Sequence, residues 1–146
     1  MMKLEDIYSE WEKDANIDIT ELGEEALKIS KLHHKYFKIL SHERLQYKKL
    51  DAELKMLKLE KHEFYTQGPT KETMEKGWQL PAVGKILRSD VNNYIDSDKD
   101  IVNISLKIGM QLEKMDLLES IIKTIINRGY NLKVALDWEK FKMGAV

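Results

Sequence analysis

The sequence predicts an all-α protein: long helices with coiled-coil-like packing, an N-terminal helical arm and C-terminal oligomerisation helices. Three observations predict it. Charged residues make up 34% of the 146 positions while prolines number two, and Leu, Lys and Glu dominate, a mix suited to long helices. No proline interrupts Glu21 to Gln67. No segment of any length alternates with the period of a strand, and no internal repeat is evident.

The first helix runs from Leu4 to about Asp14, with Leu4, Ile7, Tyr8 and Trp11 on one face. NIDI breaks it. Asp18 and Glu21, three apart, fit a capping box that opens a second helix reaching Gln67, with Gly23 in its first turn. Such a helix needs a partner along its length. A heptad from Ala26 supplies a seam: Ala26, Ile29, His33, Tyr36, Leu40, Glu43, Tyr47, Leu50, Leu54, Leu57, Lys61 and Phe64. Nine of these twelve are apolar, which favours helix–helix packing; His33, Glu43 and Lys61 weaken the seam locally. Phe37, Leu45, Met56 and Leu59 fall outside it and point to a second partner surface.

Gly68, Pro69, Gly77, Pro81 and Gly84 then mark a turn-rich connection, with Pro81 in the first turn of a short helix running toward Ile95. Ser97 or Asp98 caps the next helix, whose first turn is acidic. It runs to about Asn127 and stops at Arg128-Gly129. Its stripe is Ile101, Ile104, Ile108, Met115, Leu118, Ile122 and Ile125, flanked by Val102, Leu112, Ile121 and Ile126. That face is wider than one neighbour covers. A last helix from Asn131 to about Lys142 adds Leu132, Leu136, Trp138 and Phe141, so the C-terminal third reads as an oligomerisation region. The expected division is 1–67, a helical region with a long basic helix; 68–96, a connection with a short helix; and 97–146, the oligomerisation region.

Cysteine is absent, which excludes disulfides and thiolate metal sites. The acidic, amphipathic N-terminus has no apolar core of a signal peptide, and no apolar run nears the roughly 18 residues of a membrane span. A soluble, intracellular protein is expected. Net charge is −1, yet from Lys28 to Lys61 there are ten Lys/Arg against four acids, so the remainder is acidic. All four histidines (His33, His34, His42 and His62) lie in or beside the basic stretch.

Metal chemistry fits poorly: His34 and His42 are eight apart with Lys38 between, His33 faces the seam, and lysines flank every histidine. No nucleophile elbow, acid–base pair or Gly-rich phosphate loop is present. No enzyme, metal or cofactor is expected. Nucleic acid suits the segment better. Lys28, Lys31, Lys35, Lys38, His42 and Lys49 recur at three-, four- or seven-residue steps, a spacing able to follow a phosphate backbone through counterion release. Tyr36, Phe37, Tyr47, Phe64 and Tyr65 offer rings on which unpaired bases stack at ~1–3 kcal/mol each. From the residues alone, a solvated helix with lysines outside and aromatics inside stands level with that reading. Base-specific readout has no support, because Arg is scarce and no recognition-helix motif appears.

The chain as a whole resembles the UvsY family of recombination mediators of T-even-like phages. The resemblance rests on LEDI (Leu4–Ile7), Lys13-Asp14, Ile17-Asp18 and Thr20; on the aromatic pair Phe64-Tyr65; on SDKDIVNI (Ser97–Ile104); and on the spacing from Asp98 to Arg128-Gly129, with Lys133, Phe141 and Gly144 trailing. It implies a protein in the cytoplasm of an infected bacterial host that binds single-stranded DNA. It further implies a ring of six or seven copies that helps a RecA-type recombinase displace single-strand DNA-binding protein. The family's Lys-x-Arg element before the aromatic pair falls on MLKLEK, where Lys61 takes the arginine position and Leu59 the lysine position, with Lys58 one residue earlier. Lys58 and Lys61 carry over; Lys31, Lys35, Lys38, Lys49 and Lys55 join them from the charge pattern, and Phe64 and Tyr65 are the candidate stacking rings. Self-association is expected through Ile101, Ile104, Ile108, Met115, Leu118, Ile122, Ile125, Trp138 and Phe141. The rival reading is a structural coiled-coil scaffold or assembly chaperone whose lysines only solubilise a long helix.

Overall fold

In a computed structural model, residues 2–82 and 86–144 are described; the Gly84 turn signal lies outside them. Among the described residues six α-helices follow in order: α1 Leu4–Ala15, α2 Leu22–Leu27, α3 Ile29–Gln67, α4 Lys71–Glu75, α5 Val91–Ser97 and α6 Lys99–Lys142, with a 3₁₀ turn at Arg88–Asp90. No strand occurs among the described residues. The all-α expectation holds.

The chain forms two compact units that cut across the linear division: Met1–Leu45 with Gln111–Val146, and Gln46–Met110. In the first, Ile7, Tyr36, Leu40, Leu118, Ile121, Ile122 and Ile125 form one buried cluster, with Trp11, Ile29, Leu32, Ile39 and Met115 packed against it. In the second, Val91, Ile95 and Ile101 are the buried apolar nucleus, covered by Leu54, Leu57, Tyr65 and Ile86.

Local chemistry explains most boundaries. The Asp6 carboxylate accepts the Lys3 backbone N–H at 3.0 Å, satisfying a donor at the start of α1. Asp18 does not cap α2. Its carboxylate accepts from the Thr20 backbone N–H at 2.9 Å and the Thr20 hydroxyl at 2.5 Å, an Asx turn that competes with capping; the helix opens at Leu22 without a side-chain cap. α2 and α3 are separated by Lys28 alone, whose N–H is shared between the carbonyls of Glu24 and Glu25, both at 3.2 Å. α3 stops at Gly68, whose φ of 90° is a left-handed conformation that glycine adopts without a Cβ clash. Thr70 caps α4 by accepting the Thr73 N–H. No helix starts at Pro81; the turn at Arg88 and then α5 supply the helical piece instead. Asp98 caps α6, accepting the backbone N–H groups of Asp100 at 2.9 Å and Ile101 at 3.4 Å.

One expectation fails outright: α6 does not stop at Gly129 but continues to Lys142. A mid-helix glycine costs only about 0.5–1 kcal/mol, and its neighbours are anchored. Arg128 is buried, donates to the carbonyl of Asp14 at 2.9 Å and so meets the unsatisfied C-terminal carbonyls of α1, where a cation is favoured. Its guanidinium also lies 5.5 Å from the Trp11 ring. Leu132, three residues past the glycine, is buried too.

Candidate nucleic-acid interface

In the second unit, α3 separates its charges by side. Successive residues turn by about 100°, which puts Lys48, Lys55, Lys58 and His62 within one sector of about 80°, with the buried Lys61 about 60° beyond Lys58 and the buried Phe64 farther round. All four are exposed. Lys48 and Lys58 make no ion pair among the described residues, whereas Lys55 reaches Asp51 at 3.0 Å. Lys49 sits elsewhere, on the side shared with Glu53, Glu60 and Glu63, so it does not extend this row. Lys48 and His62 were missed in the sequence, because the cations were strung along Lys28–Lys49 rather than divided by sector.

Lys61 is not a free cation. Its side chain is 3% exposed, with Nζ 3.1 Å from Asp98 Oδ2 and 2.8 Å from Asp100 Oδ2, and it lies 3.6 Å from the centroid of the Trp78 ring. A buried ammonium persists only when paired and hydrogen-bonded, and here two carboxylates and an indole face meet that need. Asp98 is the hub. Burial alone would push its carboxyl up, but the Tyr65 hydroxyl, the Lys61 ammonium and the Asp100 N–H together hold it below the usual carboxylate range. The Tyr65 phenol donates to Asp98 at 2.7 Å, and burial together with this bond pushes it above the ordinary tyrosine value. Phe64 is buried, edge-on to Tyr65 and Trp78 at 5.3 and 5.5 Å. The expectation of base stacking on Phe64 and Tyr65 is therefore corrected, since one ring is enclosed and the other is tied by its hydroxyl.

In the first unit, the exposed side of α3 carries Lys31, His34, Lys38 and His42 at steps of three and four. Lys35 turns away from them into a clasp with Glu10 at 2.9 Å and Asp14 at 2.6 Å, so it leaves the phosphate-facing set. Partial burial lowers its affinity for the proton, but Asp14 and then Glu10 more than offset this and raise it above the usual lysine value. Tyr36 donates to the same Asp14 carboxylate at 2.7 Å. His33 stacks on Phe37 at 5.8 Å. No cluster of three or more His, Cys, Asp or Glu able to hold a metal occurs among the described residues, and no helix is long and apolar enough to cross a membrane.

The family model described as "Recombination, repair and ssDNA binding protein UvsY" matches residues 10–145. The chain belongs to the UvsY family. No curated protein matches it in sequence. Among solved structures, the bacteriophage T4 recombination mediator protein UvsY resembles it in three crystal lattices. TM-scores are 0.83, 0.79 and 0.78, each at 21% identity; the matches cover 98%, 97% and 94% of this chain and 99%, 99% and 98% of the T4 chain. At that identity the likeness establishes the shared all-α fold.

The expected self-association residues of this UvsY-family chain divide into two sets. Leu118, Ile122 and Ile125 are buried in the first unit's own core and Ile101 in that of the second, so they do not form a free surface. Met115 packs against the first core, and Ile104 and Ile108 are half-buried. Trp138 and Phe141 remain exposed, stacked on each other at 5.5 Å. With Ile126, Tyr130 and Val134, also exposed, they form an apolar row at steps of three and four on the side of α6 away from Ile125 and Leu132. The sequence pattern marks Ile126 as a flank, and the expected helix stop at Gly129 hides Tyr130 and Val134.

Proposed function

We propose that this protein is a recombination mediator. It binds single-stranded DNA without sequence preference and promotes loading of a RecA-type recombinase onto DNA covered by single-strand DNA-binding protein, in the cytoplasm of an infected host. The observation that carries this reading, beside family membership, is the set of exposed α3 cations that make no ion pair among the described residues and lie off its row of Glu53, Glu60 and Glu63: Lys31, Lys38, Lys48 and Lys58. Such cations contact phosphates rather than base edges, which gives affinity without sequence information. Lys58 is the residue on which the family resemblance and the exposed row of the second unit coincide.

One copy offers a modest site. Closed self-association, with six or seven copies as the family resemblance implies, would repeat it and raise avidity through effective concentration. The apolar row Ile126, Tyr130, Val134, Trp138 and Phe141 supports a second copy of this chain as its occupant. It spans about four turns of helix and includes two stacked rings, the residue types that anchor interfaces.

Fluorescence anisotropy with labelled oligo-dT at 50 and 300 mM salt tests the DNA reading. Binding that is tight at low salt and falls steeply with a slope of about −0.7 per phosphate contacted is expected; salt-independent or absent binding would favour a scaffold. Light scattering tests assembly: Trp138→Glu combined with Phe141→Glu should reduce the mass of the particle, and an unchanged mass would remove this row from the interface.

A further inference from the structure

The row Lys48, Lys55, Lys58 and His62 does not end with α3. His62, with Thr66 one turn on and Gln67 at the helix end, lines a cleft of roughly 480 Å³ together with Ile86, Arg88 and Val91. Arg88 is exposed, begins the 3₁₀ turn and makes no ion pair among the described residues. The Thr66 hydroxyl is already committed, donating to the His62 carbonyl at 2.7 Å. That leaves the Arg88 guanidinium, the Gln67 amide and the His62 ring as donors around an apolar floor of Ile86 and Val91, and no acid among the described residues lines the cleft. The cleft across the same end of α3, which Gln67 borders as well, is the reverse: Glu60, Glu63 and Glu72 line it beside Lys76, which is drawn to Glu60 at 3.5 Å. An anionic strand lying along Lys48–Lys58 therefore meets attraction on one side of the helix terminus and repulsion on the other.

We infer that Arg88 is a phosphate clamp of this protein: a phosphodiester of the bound single strand leaves α3 at His62 and seats between Gln67 and the Arg88 guanidinium. Arginine suits the place because its planar fork offers two parallel donors to one phosphate, whereas lysine offers a single point charge. The inference rests on the DNA-binding reading above and adds a contact from outside α3, on a stretch the sequence presents only as connection. It also gives the row a direction, since the strand is drawn off at one defined end.

Oligo-dT anisotropy across a salt series, on full-length protein, separates this claim from the reading beneath it. Arg88→Ala should weaken binding and make the slope of log affinity against log salt shallower by about 0.7, the share of one phosphate on a single strand. Its deficit relative to wild type should then shrink about threefold between 50 and 300 mM. Arg88→Lys should keep the wild-type slope but bind more weakly throughout, because charge survives and the fork does not. If Lys58→Ala flattens the slope while Arg88→Ala leaves slope and affinity as in wild type, the clamp is wrong and the DNA reading stands. If wild type itself shows no salt-sensitive binding, the DNA reading fails. Gln67→Glu supplies an independent arm that does not alter Arg88: it places an acid in the cleft and should weaken binding, and unchanged affinity would overturn the clamp even if the Arg88 variants did not fold.

Discussion

The two compact units hold their lysine–carboxylate clasps at different depths. The first has a broad apolar cluster, and its clasp of Lys35 with Glu10 and Asp14 sits at the rim, where the lysine side chain is 38% exposed. The second has a small apolar nucleus, and its lysine lies inside, 3% exposed, between two aspartates and an indole. Where apolar side chains are plentiful, buried Glu43 and Arg128 supplement an arrangement that apolar burial already supports, and the lysine clasp stays at the rim. Where they are few, a buried ion network sets the position of α3, the Trp78 turn and the start of α6 within that unit.

The sharpest break of this comparison is a pair of lysine truncations. Lys61→Ala strands the Asp98 carboxylate, and removing one partner of a buried pair costs about 3–5 kcal/mol. Lys35→Ala acts on a solvent-screened clasp and should cost less than about 1 kcal/mol. Chemical denaturation of both variants reads the difference, and equal losses would mean the Lys61 site behaves as surface. Next in size is Tyr36→Phe, which removes one donor to Asp14 and keeps the ring packed against Trp11. A loss of about 1–2 kcal/mol is expected, as for a hydrogen bond to a charged group, and no loss would show that Lys35 alone satisfies the carboxylate.

Acid should reveal what the units share. Asp14 and Asp98 are both held below the ordinary aspartate value of 3.8. Near and below that value the unfolded chain takes up protons that the folded chain keeps off, so these groups stabilise the fold above it and lose their contribution as pH falls. Melting temperatures should stay level from pH 7 to about 4 and then drop. A decline beginning near neutrality would assign acid sensitivity to other groups. The smallest effect is expected at Lys58→Ala: little change in melting temperature, since the residue is exposed and unpaired among the described residues, and a DNA-binding salt slope shallower by about 0.7.

Local signals read well where local chemistry decides. The bounds of α1, the end of α3 near Gly68 and the cap at Asp98 are visible in a few adjacent residues. Most of the heptad from Ala26 also marks an inward face, and its polar exceptions are instructive. Glu43 and Lys61 are buried at the positions the register assigns them, Glu43 accepting from the Gln111 amide and lying 3.7 Å from Lys114. They looked like interruptions only because Gln111 and Asp98 lie far along the chain. The same blindness to distant partners explains Gly129, a plausible stop until Arg128 is seen against the carbonyls of α1. It also explains the wide apolar face of α6: Leu118 and Ile125 serve the chain's own core, and breadth alone does not distinguish a core from an interface. At the candidate DNA site, Lys58 came from the family resemblance. Arg88 was not legible, because nothing in a one-dimensional string sets it beside His62.

The indole of Trp78, resting 3.6 Å from the Lys61 ammonium, gives the second unit a built-in optical gauge. Excited-state emission responds to the field of an adjacent cation, so any event that withdraws that lysine from its aspartates also changes the light Trp78 returns. Replacing Trp11 and Trp138 by phenylalanine would leave this signal alone in the spectrum, reporting on one ion network without an attached dye.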